Sequence, residues 1–259
     1  MSDSDSSYEP EYEPEEFQLP NPLSTTSTPI TIRCMTVLPP PIEHMVKLRN
    51  QNVEISGQKV WTGSFFLANY LISMHQSSSP LLKNKSVMEL GAGSGILSIL
   101  ASSFLEASLV TASDNDPVAL DLLSQNLILN DLHQSQSTIQ TASFSWGTDP
   151  SKSTPPLSSK SYDVVVAGDV MYKDFLPDLF FKSVCDLLNP VGGKLFLCHV
   201  PRAGVDYEVV VAAALSHGIE LVEITLTVDP HVWEMLNQAD PQGDDLMRAK
   251  IYTNKLNLQ

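Results

Sequence analysis

Val87-Met88-Glu89-Leu90-Gly91-Ala92-Gly93-Ser94-Gly95-Ile96-Leu97-Ser98 is the stretch that decides how this chain folds. A short apolar run ends at an acid, three glycines then alternate, and an apolar helical pattern begins. Glycine is required where backbone turns sharply or where a ligand lies against main-chain atoms. The helix that follows aims its free N–H groups at whatever occupies the turn. The spacing is G-x-G-x-G, with Ile96 where a dinucleotide fingerprint needs its third glycine. That counts against NAD and for the folds that bind S-adenosylmethionine. A tight strand–helix turn without a ligand can also be glycine-rich, so the next strand has to be read with it.

Leu109-Val110-Thr111-Ala112-Ser113-Asp114 is a second buried strand ending in a carboxylate, 23 residues after Gly91. One helix and one strand of a βαβ unit cover that distance. A carboxylate there can accept both ribose hydroxyls of an adenosine cofactor. It could instead cap the next helix, but Asp116-Pro117 is the better N-cap, followed by proline at the first helical position.

Working outward, strands are expected over residues 85–90, 108–114, 137–144, 162–168 and 193–199. Helices are expected over 61–74, 95–104, 116–129, 175–188 and 206–217. Residues 30–38 and 45–55 read as short strands or a hairpin covering the domain. Residues 219–227 and 247–256 read as a final antiparallel pair, and the Ser, Pro and Lys-rich 147–161 as a mobile surface loop. The alternation predicts an α/β fold: a doubly wound, mostly parallel seven-stranded sheet, Rossmann-like, with an antiparallel C-terminal strand. The domain division expected is a disordered acidic tail over 1–29 and one domain over 30–259, with 30–60 as the strand cover and 61–259 as the catalytic core.

Composition narrows the function. The net charge is −15 over 259 residues, and residues 1–32 hold seven acids with no base. The remainder keeps 23 acids against 15 bases. With no basic patch interleaved with aromatics, a nucleic-acid substrate is disfavoured. The acidic, Ser and Pro-rich start cannot bury enough apolar surface to fold alone. No apolar run reaches membrane-spanning length, and no leader of the secretory or transit type is visible. Cys34, Cys185 and Cys198 are odd in number and widely spaced, which predicts a reducing compartment, cytoplasm or nucleus, with no disulfide framework and no metal site.

In such a sheet, ligands bind beyond the carboxyl ends of the strands where their order reverses. The residues at those ends are Glu89 with the glycine turn, Asp114, Ser145 and Trp146, Gly168-Asp169-Val170-Met171-Tyr172, and His199. Trp146 could stack on an adenine or fill core. Asp169 ends a wholly apolar strand, where packing alone does not favour a carboxylate, although it could cap the following helix. His199 lacks a nucleophile or metal partner at useful spacing and reads as structural.

The order VWTGSFFLANYL, VMELGAGSG, VTASD, SQNLILN, SWG and YDVVVAGDVMY resembles the seven-stranded, non-SET methyltransferases of family sixteen, many of which modify protein lysines. The resemblance spans roughly residues 53–200. Its most specific element is acid-x-x-Tyr, here Asp169 and Tyr172. Relatives often carry an acid before the tryptophan after the third strand, and here that position is Ser145. The resemblance implies an S-adenosylmethionine-dependent protein-lysine N-methyltransferase, active as a monomer on a protein substrate. It implies Asp169 and Tyr172 as catalytic residues, and Trp61, Glu89, Gly91, Ala92, Gly93, Asp114, Trp146 and Gly168 as cofactor contacts. A methyltransferase acting on a small molecule or a non-lysine side chain would share the cofactor residues. A non-catalytic binding protein on the same fold would be free to lose them.

Overall fold

The computed structural model describes residues 10–23, 28–38, 56–77, 79–132, 138–202, 204–225 and 244–255. A two-stranded antiparallel hairpin, β1 (Tyr12–Leu19) and β2 (Ile30–Val37), precedes a seven-stranded sheet. The sheet comprises β3 (Ser86–Leu90), β4 (Leu109–Asp114), β5 (Ile139–Ser143), β6 (Val164–Gly168), β7 (Lys194–His199), β8 (Leu221–Ile224) and β9 (Lys250–Asn254). Their order is β5-β4-β3-β6-β7-β9-β8. The first five run parallel, and β9 is antiparallel to both β7 and β8. Chain order therefore reverses between β3 and β6, and their carboxyl ends open the crevice.

Helices α1 (Thr62–Gln76), α2 (Ile96–Ser103), α3 (Pro117–Leu129), α4 (Leu176–Leu187), α5 (Tyr207–Ser216) and a short α6 (Asp244–Arg248) complete the described chain. Strand residues alternate between two cores, because successive side chains leave a strand on opposite faces. Val87, Val110, Val164, Val166 and Phe196 face α1, α2, α3 and the hairpin. Met88, Leu90, Val165, Leu195 and Leu197 face α4 and α5. Both faces are covered, so the central strands read as nearly continuous apolar runs.

The segment expected to be a disordered tail through residue 29 contains β1. Phe17 and Leu19 alternate inward with Ile32 and Cys34 of β2, and all four are buried in the first core. The acids Glu13, Glu15 and Glu16 stay outside, so a strongly charged segment still supplies an apolar face. The ladder edge of β2 is satisfied from α3: Asn130 Oδ1 and Asn126 Oδ1 accept from the Arg33 and Met35 amides at 3.0 and 2.6 Å. The expected partner strand over 45–55 lies outside the described residues. The loop 147–161 is pinned rather than loose. Leu157 is buried in the second core, Thr154 bridges Ser143, and Asp149 caps a 3-10 turn over Pro150–Lys152. No helix among the described residues is long and apolar enough to cross a membrane.

The placement of the crevice depends on glycine. A Cβ on Gly168, the last residue of β6, would lie 2.5 Å from Ser64 Cα in α1. Helix α1 thus rests directly on the end of β6, with Ser64 Oγ donating to the Gly168 carbonyl at 3.0 Å. Gly168→Ala is expected to force these backbones apart and to cost about 1–3 kcal/mol. Urea denaturation measures it; an unchanged midpoint would contradict the close approach.

Candidate active site

A cleft of about 550 Å³ opens where the strand order reverses, within the size range of small-molecule sites. Trp61, Gly91, Ala92, Gly93, Asp114, Trp146, Gly168, Asp169 and Tyr172 all line it. Of the residues read from the sequence as site contacts, Glu89 does not.

The reason is local. Helix α2 begins after Gly95, whose φ of +81° and missing side chain give the helix no side-chain cap. Glu89 supplies one from the strand below: its carboxylate accepts from the Ser98 amide at 2.9 Å and from the Ser98 hydroxyl. Wholly buried, it is pushed from the usual 4.5 to about 8, desolvation outweighing the hydrogen bonds. Its chemistry is to hold the loop from behind.

The loop's own donors are also taken. Ala92 N–H donates to the Ser113 carbonyl at 2.8 Å, and Gly93 N–H donates to Asp114 Oδ2 at 2.9 Å. Asp114 Oδ1 accepts from the Asn115 and Asp116 amides at 2.7 and 3.0 Å. Burial raises the Asp114 carboxyl despite these bonds. A pyrophosphate needs such amides free, so the arrangement disfavours a dinucleotide. The rim carries Asp114 and Asp116 instead, and Asp116 Oδ2 is a buried acceptor with no partner among the described residues. That donor-hungry, acidic surround fits a cationic, hydroxyl-bearing ligand. Asp116 also caps α3 through the Val118 amide, with Pro117 at the first position. The expected division of labour between Asp114 and Asp116 is thus only partial, because Asp114 shapes the loop as well.

The floor is tight. A Cβ on Gly91 would meet Val170 Cγ1 at 3.0 Å and Trp146 Cζ2 at 3.1 Å. A Cβ on Gly93 would meet the Gly57 carbonyl oxygen at 2.9 Å, so Gly93 yields to the Ser56–Gln58 turn. Trp146 meets Phe180 edge-on at 5.2 Å between ring centroids, combining a core contact with a face on the cleft. Ser145 Oγ donates to Asn115 Oδ1 on the same wall.

Asp169 stands at the opposite end. Its backbone is left-handed, φ +58°, and its amide donates to the Cys198 carbonyl at 2.8 Å. Only 1% of its side chain is exposed. It does not cap α4, whose first turn begins at Leu176 after Phe175. Its carboxylate accepts from Arg202 Nη2 at 2.5 Å, and Arg202 Nη1 is held by Asp245 at 3.1 Å. Burial raises the Asp169 carboxyl from 3.8 to about 6, and the guanidinium opposes that shift. Gly63 permits the arrangement, since a Cβ there would lie 2.6 Å from Asp169 Cβ. Tyr172 accepts at its hydroxyl from Ser56 Oγ at 3.2 Å, and Trp61 Nε1 donates to the Ser56 carbonyl at 2.5 Å. The 56–61 segment therefore joins both aromatic walls.

Arg202, Gly63, Ser64 and Lys59 were not legible as site residues. Gly63 carried a signal, standing directly after Trp61-Thr62; Arg202 carried none, because only folding brings it to Asp169 at the end of β6. His199 is fully buried, with Nε2 3.1 Å from the Val205 carbonyl oxygen. Desolvation lowers it to about 4, as suits the structural reading.

A sequence profile described as lysine methyltransferase matches residues 42–208. The chain belongs to the lysine methyltransferase family. Among relatives, it is 26% identical over 191 residues to the protein-lysine N-methyltransferase EFM3 of Chaetomium thermophilum, covering 73% of this chain and 53% of that protein. It is 32% identical over 142 residues to the protein N-lysine methyltransferase METTL21A of Xenopus tropicalis, covering 51% and 60%. It is 27% identical over 203 residues to the protein N-terminal and lysine N-methyltransferase efm7 of Aspergillus fumigatus, covering 76% of each. The chain spans about half the length of several curated relatives it matches. The crystal structure of the CurJ carbon methyltransferase overlays with a TM-score of 0.50 at 14% identity, covering 82% of this chain and 58% of that one. The fold of this lysine methyltransferase family member is that of class I S-adenosylmethionine-dependent methyltransferases.

Glu89 gives a pH test. A carboxyl raised by folding stabilises below its unfolded pKa, and that stability is lost as pH rises through the folded one. Relative to Glu89→Gln, the native protein is expected to lose a few kcal/mol of unfolding free energy between pH 4.5 and about 8, at about 1.4 kcal/mol for each tenfold change in proton affinity. Urea titrations of both proteins at several pH values check this; parallel pH profiles would contradict it.

Proposed function

We propose that this chain methylates lysine side chains of a protein, using S-adenosylmethionine, as a monomer in the cytoplasm or nucleus. Asp169 carries the reading: a buried carboxylate in left-handed backbone at the cleft, walled by the rings of Trp61 and Tyr172. The curated relatives above, by their names, modify lysine. The free cysteines Cys34, Cys185 and Cys198 suit a reducing compartment.

S-adenosylmethionine supplies a methyl group activated by its sulfonium. Asp114, the Gly91–Gly93 backbone and the face of Trp146 would hold it, with Asp116 Oδ2 as a further acceptor. Asp169 attracts the acceptor's ammonium, and the aromatic walls favour a cation between them. A carboxylate beside an amine also raises the amine's pKa, so Asp169 orients more than it activates. Arg202 tempers that attraction by sharing the carboxylate.

Labelled methyl groups transferred into a cell extract, with mass spectrometry of the labelled species, test the reading. A labelled lysine in a protein supports it. A labelled small molecule, or no label despite cofactor binding, contradicts it. Asp169→Asn is expected to cut the transfer rate by about 10²-fold or more, with S-adenosylhomocysteine affinity nearly unchanged. Tyr172→Phe should act in the same direction but less, since the ring wall remains. Single-turnover rates and calorimetry on one preparation decide it; full turnover by Asp169→Asn would remove the residue from the catalytic role.

A further inference from the structure

The acceptor end of the cleft already contains a lysine. Lys59 follows the Ser56–Gln58 turn and lines the cleft. Its Nζ sits 3.7 Å from the centroid of the Trp61 ring, the wall assigned above to the acceptor. The guanidinium of Arg202 lies over the same ring at 5.5 Å, and Arg202 in turn binds Asp169. Lys59 also feels the charges of Arg202, Asp169 and Asp245. An ammonium on an aromatic wall within reach of the Asp169 charge is what the proposed reaction asks of a substrate.

We infer that Lys59 is a methylation site of the protein itself, modified in cis within its own cleft. The inference rests on the methyltransferase reading above and adds an acceptor to it. In the step, the neutral Nζ lone pair attacks the methyl carbon of S-adenosylmethionine. An N–C bond forms as the S–C bond breaks, and its electron pair stays on sulfur as S-adenosylhomocysteine. The proton that the Lys59 ammonium loses beforehand goes to solvent, and the product is a charged methylammonium. Two features favour Lys59 as the nucleophile. Burial of the ammonium against the ring, together with the neighbouring guanidinium, lowers its pKa from the usual 10.5, which enlarges the neutral fraction. Its place two residues before Trp61 also makes the encounter intramolecular, with the entropy of association already supplied by folding. A methylated Lys59 would remain on Trp61, because an alkylated ammonium keeps its charge and its attraction to the ring.

Lys173, the other lysine lining the cleft, lies 5.3 Å from the Tyr172 ring centroid. Its place on that second ring makes it the internal comparison.

The test uses the full chain, purified and incubated with labelled S-adenosylmethionine, then digested and mapped by mass spectrometry. Methyl label is expected on Lys59, at a rate per molecule that does not change when the protein is diluted tenfold. Lys59→Arg should lose that label. In the protein without cofactor, an acylating reagent at near-neutral pH should modify Lys59 faster than the ion-paired surface residues Lys83 and Lys255. Label on extract proteins but none on Lys59 would overturn this inference and leave the proposed function standing. Label on Lys59 that falls with dilution would overturn the cis step, and slow acylation would overturn the lowered basicity. No label on any protein, with S-adenosylhomocysteine still raising the melting temperature, would overturn both the inference and the function on which it rests.

Discussion

One carboxylate closes the turn on which the site is built. Asp114 accepts from Gly93 on the loop after β3 and from Asn115 and Asp116 on the loop after β4. It joins the two crossovers on one side of the switch point, so the glycine loop is shaped by the neighbouring strand as well as by its own helix. Asn126 reinforces the join by donating to the Ser94 carbonyl at 2.8 Å while accepting from β2. Once these bonds are in place the Ala92 and Gly93 amides are spent, and the cleft presents acceptors. A ligand bearing hydroxyls and a positive charge meets complementary groups there; a pyrophosphate does not.

The acidic residues around the cleft are thus divided by burial and by partner. Glu89 is sealed behind the loop and serves a helix end. Asp116 caps α3 with one oxygen and leaves the other buried without a hydrogen-bond partner among the described residues. Asp169, at the far end, is held by Arg202 and by a backbone conformation that a non-glycine residue rarely adopts. Strain of that kind persists only where surrounding contacts over-determine it. Gly63, Gly168 and the Cys198 carbonyl do so here.

Much of this architecture can be read from the chain because buried parallel strands and amphipathic helices announce themselves locally. The five parallel strands, the N-cap at Asp116 and the cleft residues from Trp61 to Tyr172 follow from short-range pattern. What escapes is non-local. Strand β1 hides inside a run of glutamates, its apolar face supplied by only Phe17 and Leu19. Glu89 looks like a ligand contact from its position, and only the missing cap on α2 turns it elsewhere. Arg202 comes to Asp169 across 33 residues, and no spacing rule predicts that pair. The loop 147–161 reads as mobile by composition, yet the buried side chains of Pro150, Ser153 and Leu157 fasten it.

The central claim is that the G-x-G-x-G loop, the end of β4 and the 56–61 segment line one cleft shared by cofactor and acceptor. Amide hydrogen exchange with and without S-adenosylhomocysteine tests it most directly. The account predicts that saturation slows exchange in residues 91–95, 114–118 and 56–61 together, while β8 and β9 on the far edge stay unchanged. Binding without protection of those segments, or with protection centred elsewhere on the chain, would contradict it.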